Sequence, residues 1–169
     1  MMKLQEQKIG TFLRDLASNN PTPGGGTVAA LTATFSASLI EMVCNLTMNK
    51  KAYETVHKRI NEYYIEASRI EGKLTKLADE DARAFGEVMR SYKSKDKSKI
   101  KKSLKYAIEV PTEVRKLSQV LEKIGYKVSK IGNKNARSDA KTAIYLARAA
   151  SKSALENIVI NKKALAKLG

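Results

Sequence analysis

Cysteine and histidine are almost absent from this sequence of 169 residues, which contains one of each, Cys44 and His57. Cys44 has no partner for an intramolecular disulfide bond, which is typical of a reducing compartment, and we expect a cytoplasmic protein. No Cys/His spacing of a metal centre occurs, so we expect no metal site. His57 lies beside the apolar face of its predicted helix, and we interpret it as a solvated side chain and not as a catalytic one.

Acidic residues are also scarce, with 17 Asp and Glu against 32 Lys and Arg and a net charge of +15. Such a charge favours an anionic partner: a nucleic acid, an anionic lipid or a small polyanionic ligand. The basic residues are mostly lysines spread through predicted helices, and no basic run is interleaved with aromatic residues. The charge alone therefore specifies no partner, and we expect neither a nucleic acid nor a membrane to be one.

Charge is missing altogether from residues 21–40, although 29% of the chain is charged. Three glycines, Gly24, Gly25 and Gly26, open a predicted helix over 25–49 whose small and apolar side chains indicate burial on most sides. A membrane span is less consistent with this segment, because Thr and Ser dilute its aliphatic residues and no second span follows. We predict that this helix is the core. Since five helices are too few to cover it, we expect a homodimer.

The alternation typical of β-strands is not found, and helical periodicity runs through the rest of the chain. We therefore predict an all-α fold, a multihelical up-and-down bundle of about five mostly long helices in a single domain over residues 1–169. Pro111 is expected to kink or split the fourth helix, and Asn135 is expected to be the N-cap of the fifth. The other predicted helices cover residues 3–18, 53–92, 100–131 and 136–167.

One carboxylate interrupts the apolar face of the third predicted helix. Apolar residues repeat every seven positions from Val56 to Val88, and Asp81 occupies a position of this repeat. A carboxylate in an inward position costs several kcal/mol unless it is paired, hydrogen-bonded or protonated. Asp81 therefore either pairs with an inward Lys or Arg, or supplies a carboxyl group for proton transfer in a pocket. On these grounds alone the two accounts stand equal.

Several polar features are expected at the same height of the bundle. In up-and-down helices that rise about 1.5 Å per residue, Gly25, Asp81, Pro111 and Asn157 fall near one level. The glycine N–H groups can bind an anion or a ligand carbonyl, or the glycines only let two backbones approach. Asn157 and Asn161, one turn apart, either bind an amide-rich heterocycle together or form hydrogen bonds within the core. We hypothesise a site at this level.

Five segments resemble, in the right order, motifs of the cyclodeaminase/cyclohydrolase family of folate enzymes: PTPGGGTVAAL, LTMNKKAY, LADEDARAF, IGNKNARSDA and ENIVIN. That family includes the formiminotetrahydrofolate cyclodeaminase domain and the stand-alone methenyltetrahydrofolate cyclohydrolases of the serine cycle. The resemblance implies an all-helical, usually dimeric enzyme whose catalytic aspartate matches Asp81, with Asp79 as the second match. It also implies a tetrahydrofolate derivative as substrate, no tightly bound cofactor, and Lys50 and Lys51 as candidates for binding the glutamate tail.

Two reactions fit this resemblance. A cyclohydrolase adds water to 5,10-methenyltetrahydrofolate and gives the 10-formyl form, whereas a cyclodeaminase releases ammonia from 5-formiminotetrahydrofolate. We favour the cyclohydrolase, because no formiminotransferase domain is fused here to supply the deaminase substrate. A basic helical module that binds a polyanion without catalysis is the alternative from a different functional class.

Overall fold

Five α-helices make up most of the computed structural model, which describes residues 6–168. No strand occurs between these residues, so the predicted all-α class is confirmed. The part of the predicted first helix before residue 6 lies outside the described residues. The helices are α1 (Ile9–Leu16), α2 (Gly25–Met48), α3 (His57–Ser94), α4 (Lys97–Ile131) and α5 (Arg137–Ala166), with short 3-10 helices at Lys51–Val56 and Lys134–Ala136.

The α2 helix is the core of the bundle and packs against α3, α4 and α5. Its buried side chains are small, and Ala30, Ala33 and Ala37 are completely inaccessible to solvent. These side chains let the neighbouring helices come close. Ser36 Oγ, for example, donates a buried hydrogen bond of 2.8 Å to the Ala143 carbonyl of α5. The prediction of α2 as the core is therefore confirmed.

By length and composition alone, α2 is apolar enough to cross a membrane. Half of its most apolar window is nevertheless buried inside the bundle.

The connection between α3 and α4 is only two residues long, much shorter than the predicted turn over 91–99. Lys95 adopts a left-handed backbone conformation with φ of 56°, which ends α3. Asp96 then accepts hydrogen bonds from the N–H groups of Ser98 and Lys99 and caps α4. Such a short turn makes α3 and α4 antiparallel neighbours.

The fourth helix is not split by its proline, since α4 runs unbroken from Lys97 to Ile131 with Pro111 buried inside it. Of the two effects expected of this proline, a kink or a split, the split does not occur, and the kink stays a prediction. Proline has no N–H to donate to the carbonyl four residues earlier, that of Ala107. The Asn161 side chain of α5 donates to that carbonyl instead, at 2.7 Å.

The cap before α5 also differs from the prediction. The N-cap residue of α5 is Ala136, and it makes no side-chain capping bond. Asn133, and not Asn135, supplies the cap in this turn, because its side chain accepts from the Asn135 N–H at 3.1 Å. The Asn133 side chain also donates to the Leu46 carbonyl. It thereby ties the α4–α5 turn to the end of α2.

Candidate active site

The carboxyl group of Asp81 faces the first turn of α2. Thr27 Oγ1 donates a hydrogen bond of 2.9 Å to Asp81 Oδ2, and the Thr27 backbone also bonds to this carboxyl group. Thr27 is the third residue of α2, and the first N–H groups of a helix have no partner within the helix. Asp81 therefore binds to the first turn of α2 through Thr27, at the end where the helix dipole favours negative charge.

Gly26 allows the Asp81 carboxyl group to lie close to the first turn of α2. A Cβ atom at Gly26 would overlap the Asp81 carboxyl group and lie 2.6 Å from its Cγ. None of the described glycines has a positive φ, so Gly26 is required here for space and not for its backbone conformation. The glycines were expected either to bind an anion or a ligand carbonyl, or to let two backbones approach. Gly26 allows a close approach, but the group that approaches it is a carboxyl group and not a second backbone.

Burial raises the pKa of Asp81 above the ordinary value of an aspartate. The hydrogen bonds from the Thr27 side chain and backbone act in the opposite direction, but burial prevails. The described part of the chain contains no ion pair between Asp81 and a Lys or Arg. The structural account predicted an inward ion pair for Asp81. In the structure, the Asp81 carboxyl group instead caps α2.

Asp81 lies in the wall of a cavity of about 260 Å³. The cavity is formed where the start of α2, the middle of α3 and the end of α5 meet. Gly25, Asp81 and Asn157, which were predicted to lie at one level of the bundle, all line it. Pro111 itself does not line the cavity, but Ala107, one turn before it, does. The lining residues are Pro21, Thr22, Gly24, Gly25, Gly26, Asp81, Ala84, Phe85, Val88, Ala107, Asn157, Ile160 and Asn161.

Two amide side chains form the α5 side of this cavity. Asn157 Nδ2 donates to the Ser153 carbonyl at 3.0 Å, and Asn161 Nδ2 donates to the Ala107 carbonyl at 2.7 Å. The first bond lies within α5, whereas the second joins α5 to α4. Both nitrogens are therefore engaged by main-chain carbonyls, and both side chains remain partly accessible from the cavity.

Lys50 and Lys51 do not belong to this site within one chain. They follow the C-terminal end of α2, whereas the glycines lie at its N-terminal end. The 24 residues from Gly26 to Lys50 correspond to about 36 Å along a helix. The single histidine lies at the same distant end, where His57 Nε2 is 3.2 Å from the Lys50 carbonyl oxygen. The interpretation of His57 as non-catalytic is consistent with that position.

The sequence matches the family described as formiminotransferase-cyclodeaminase over residues 8–167. The chain is 35% identical to the methenyltetrahydrofolate cyclohydrolase of Methylorubrum extorquens, over 94% of this chain and 81% of that protein. The crystal structure of formiminotetrahydrofolate cyclodeaminase from Thermotoga maritima is similar with a TM-score of 0.91 and 33% identity, over 95% of this chain and 81% of that one. The chain belongs to the formiminotransferase-cyclodeaminase family.

Other relatives are much longer than this chain. The formimidoyltransferase-cyclodeaminase of Sus scrofa is 28% identical over 95% of this chain, which spans 31% of that protein. The resemblance inferred from the five motifs is thus confirmed at the level of the family. Within this family member, two of those motifs, LTMNKKAY and IGNKNARSDA, lie at the end of the bundle opposite to the Asp81 cavity.

Thr27 is the site residue that sequence reasoning missed. Its position in the first turn of a helix, directly after the glycines, was the available signal, because polar side chains at such positions often bind groups near the helix N-terminus. Phe85 and Ile160 were also missed, since apolar lining residues look like ordinary core residues in a sequence. Asp79, the second match for the catalytic aspartate, is not among the lining residues.

Between residues 6 and 168, no three His, Cys, Asp or Glu side chains are grouped closely enough to hold a metal ion.

Proposed function

We propose that this family member is a methenyltetrahydrofolate cyclohydrolase, which adds water to 5,10-methenyltetrahydrofolate and gives 10-formyltetrahydrofolate. The observation that carries the proposal is the Asp81 carboxyl group, which lies in a cavity without a cationic partner and has a raised pKa. A positioned carboxyl group of this kind is suited to general acid–base catalysis. The 35% identity to a cyclohydrolase over most of both chains supports the same conclusion.

The reaction needs three proton transfers at the one-carbon bridge. The ionised Asp81 takes a proton from water as the water oxygen bonds to the cationic amidine carbon. The protonated carboxyl group then gives this proton to N5 as the C–N5 bond breaks. The regenerated Asp81 carboxylate takes the hydroxyl proton of the intermediate as the formyl carbonyl forms on N10, and it releases this proton to solvent. Because the substrate supplies the electrophilic carbon and water is the nucleophile, we propose that no tightly bound cofactor takes part.

The size of the cavity suits part of a folate. Its volume of about 260 Å³ lies just below the roughly 300–1,000 Å³ of typical small-molecule pockets. We propose that the bicyclic ring and the one-carbon bridge enter the cavity while the glutamate tail stays outside.

A second, wider groove offers positive charge for that tail. It lies on the neighbouring faces of α3 and α4, has a volume of about 730 Å³ and includes the acidic residues Glu87 and Glu109. Because basic residues outnumber acidic ones in this groove, we propose that the tail binds here and not at Lys50 and Lys51. The basic residues of the groove are Arg83, Arg90, Lys99, Lys102 and Lys105.

We also propose that the protein is a cytoplasmic homodimer that uses α2 as part of its interface. Phe35, Met42 and Leu46 are 59%, 37% and 41% exposed, and their spacing of seven and four residues places them on one side of α2. This exposed apolar face belongs to the core helix itself. A second copy of the chain is the occupant we propose, because an identical α2 would bring a matching uncharged surface.

The cyclodeaminase reaction is the second candidate, and the similarity to the Thermotoga maritima cyclodeaminase supports it. The two are separated by assaying the purified protein with each substrate. A cyclohydrolase removes the absorbance of 5,10-methenyltetrahydrofolate, whereas a cyclodeaminase releases ammonia from 5-formiminotetrahydrofolate. Turnover of only the formimino compound would overturn the proposed reaction. Inactivity on both, with salt-sensitive binding to nucleic acid, would favour the polyanion-binding alternative.

A further inference from the structure

The amide group of Asn161 is oriented by Pro111. In an α-helix, the carbonyl of residue 107 accepts the N–H of residue 111, and proline has none. The free Ala107 carbonyl instead accepts from Asn161 Nδ2 at 2.7 Å. Because a carbonyl oxygen can only accept, the nitrogen of the amide must face Ala107. The amide oxygen, Oδ1, is then directed away from that carbonyl.

Asn157 is oriented by the same rule. Its Nδ2 donates to the Ser153 carbonyl at 3.0 Å, so its Oδ1 also points away from the engaged carbonyl. In the described part of the chain, none of the hydrogen bonds reaches the Oδ1 atom of either asparagine. Both residues line the Asp81 cavity, and residues four apart on a helix are neighbours on one face. The wall of the cavity thus carries two asparagines, one helical turn apart, whose Oδ1 atoms accept none of these hydrogen bonds.

We propose that Asn157 and Asn161 form an acceptor pair that binds the hydrogen-bond donor edge of the substrate ring. This inference rests on the proposed function. The 2-amino-4-oxopteridine ring of a folate carries two adjacent donors, the ring N3–H and the 2-amino group, and this edge lies at the opposite end of the ring system from N5. Binding of that edge by α5 leaves the one-carbon bridge free to face Asp81. Pro111 is in this account a positioning residue that acts through Ala107 and Asn161.

The proposal is tested with a ligand that lacks one donor. The dissociation constants of tetrahydrofolate and of an analogue with a methyl group in place of the 2-amino group are measured for the wild type and for Asn157→Ala/Asn161→Ala. The wild type should bind the analogue about tenfold more weakly, which corresponds to one lost hydrogen bond. The double variant should bind tetrahydrofolate more weakly and should discriminate little between the two ligands.

Pro111→Ala gives a second test that leaves the cavity lining unchanged. The new N–H at residue 111 competes with Asn161 for the Ala107 carbonyl, so discrimination between the two ligands should fall several-fold and KM should rise more than kcat falls. Thr112→Ala is the matched control. It is exposed on the same turn and its hydroxyl bonds only to Ile108, so discrimination should stay at the wild-type value.

Equal discrimination by the wild type and the double variant would overturn the acceptor pair. A wild type that binds both ligands equally well would do the same. Unchanged discrimination in Pro111→Ala would overturn the positioning role of the proline. Failure of the wild type to bind tetrahydrofolate at all would instead refute the proposed function on which the inference rests.

Discussion

Gly26 and Asp81 occupy complementary positions, since the space that a side chain would fill at Gly26 is taken by the Asp81 carboxyl group. A Cβ atom there would lie 2.6 Å from Asp81 Cγ, well inside van der Waals contact. The cavity wall therefore depends on a pair of residues, one lacking a side chain and one carrying the buried carboxyl group. They come from different helices and lie 55 positions apart in the sequence.

Gly26→Ala should displace the Asp81 carboxyl group. We expect the free energy of unfolding to fall by about 1–3 kcal/mol, as for other overpacked sites, and kcat/KM to fall at least tenfold. Gly25→Ala is the control for stability, because nothing lies within 4 Å of a Cβ at that position. The combination Gly26→Ala/Asp81→Ala should recover part of the lost stability, since it removes the clash. A Gly26→Ala protein with wild-type melting behaviour and activity would contradict the packing account.

The pH dependence of activity should follow the raised pKa of Asp81. An aspartate that acts first as a base must be ionised, so kcat/KM should rise with pH through that pKa. Thr27→Val removes the hydroxyl bond that lowers the pKa, and the acidic limb of the profile should therefore shift to higher pH. Thr34→Val, whose hydroxyl bonds only to its own helix, should leave the limb in place. An identical profile for all three proteins would argue against Asp81 as the titrating group.

Folates with longer glutamate tails should bind more tightly, and the difference should shrink as salt rises, since charges are screened over about 10 Å at 0.1 M. Lys102→Gln/Lys105→Gln should remove much of this advantage, because both lysines line the basic groove on α3 and α4. Lys50→Gln/Lys51→Gln makes the same change in net charge at the distant end of α2 and is the matched control. Affinity that does not depend on tail length would count against a tail site in the groove.

Sedimentation at micromolar concentration should show a dimer. Phe35→Glu should shift the protein toward the monomer, because it places a charge in the exposed apolar face of α2. It should leave the fold intact, since Phe35 is 59% exposed within one chain. Tyr145→Glu, at a residue 62% exposed on α5, is the control and should remain dimeric. A monomeric wild type would refute the interface.

Periodicity predicted much of the fold, and it singled out Asp81 from the other acidic residues. The heptad repeat of α3 marked Asp81 as a carboxylate in an apolar position, and the helix lengths placed it level with the glycines. A repeat, however, defines only the face on which a residue lies and not the atoms opposite to it. The structural account of Asp81 therefore named a Lys or Arg as its partner, whereas the structure shows the Thr27 hydroxyl and the start of α2.

The errors at helix ends have a similar physical origin. Asn133 and Asn135 are both good capping residues, and only the path of the turn decides that Asn133 supplies the cap. Lys50 and Lys51 were assigned to the substrate tail by resemblance, although they lie in the α2–α3 turn, where an up-and-down bundle places them far from Gly26.

The effect of Pro111 was predicted from the hydrogen bond that a proline removes. The replacement bond to the Ala107 carbonyl comes from Asn161, which lies 54 residues later in the sequence.

Linkage gives a further consequence of the raised pKa of Asp81. Because its pKa is higher in the folded than in the unfolded protein, Asp81 stabilises the fold when its carboxyl group is protonated. This stabilisation is complete at pH values below the unfolded pKa. It is lost as pH rises through the folded pKa. At neutral pH an amide at this position avoids the cost of burying the ionised group, while its oxygen can still accept from Thr27.

Asp81→Asn tests the central claim most directly, through the loss of methenyl absorbance measured beside a thermal melt. The account predicts that kcat/KM falls on the order of a hundredfold or more, with stability at neutral pH unchanged or higher. Asp79→Asn, outside the cavity, is the control for activity and should retain it. An Asp81→Asn protein that is fully active yet loses several kcal/mol of stability would show that this carboxyl group only caps α2, and would contradict its catalytic role.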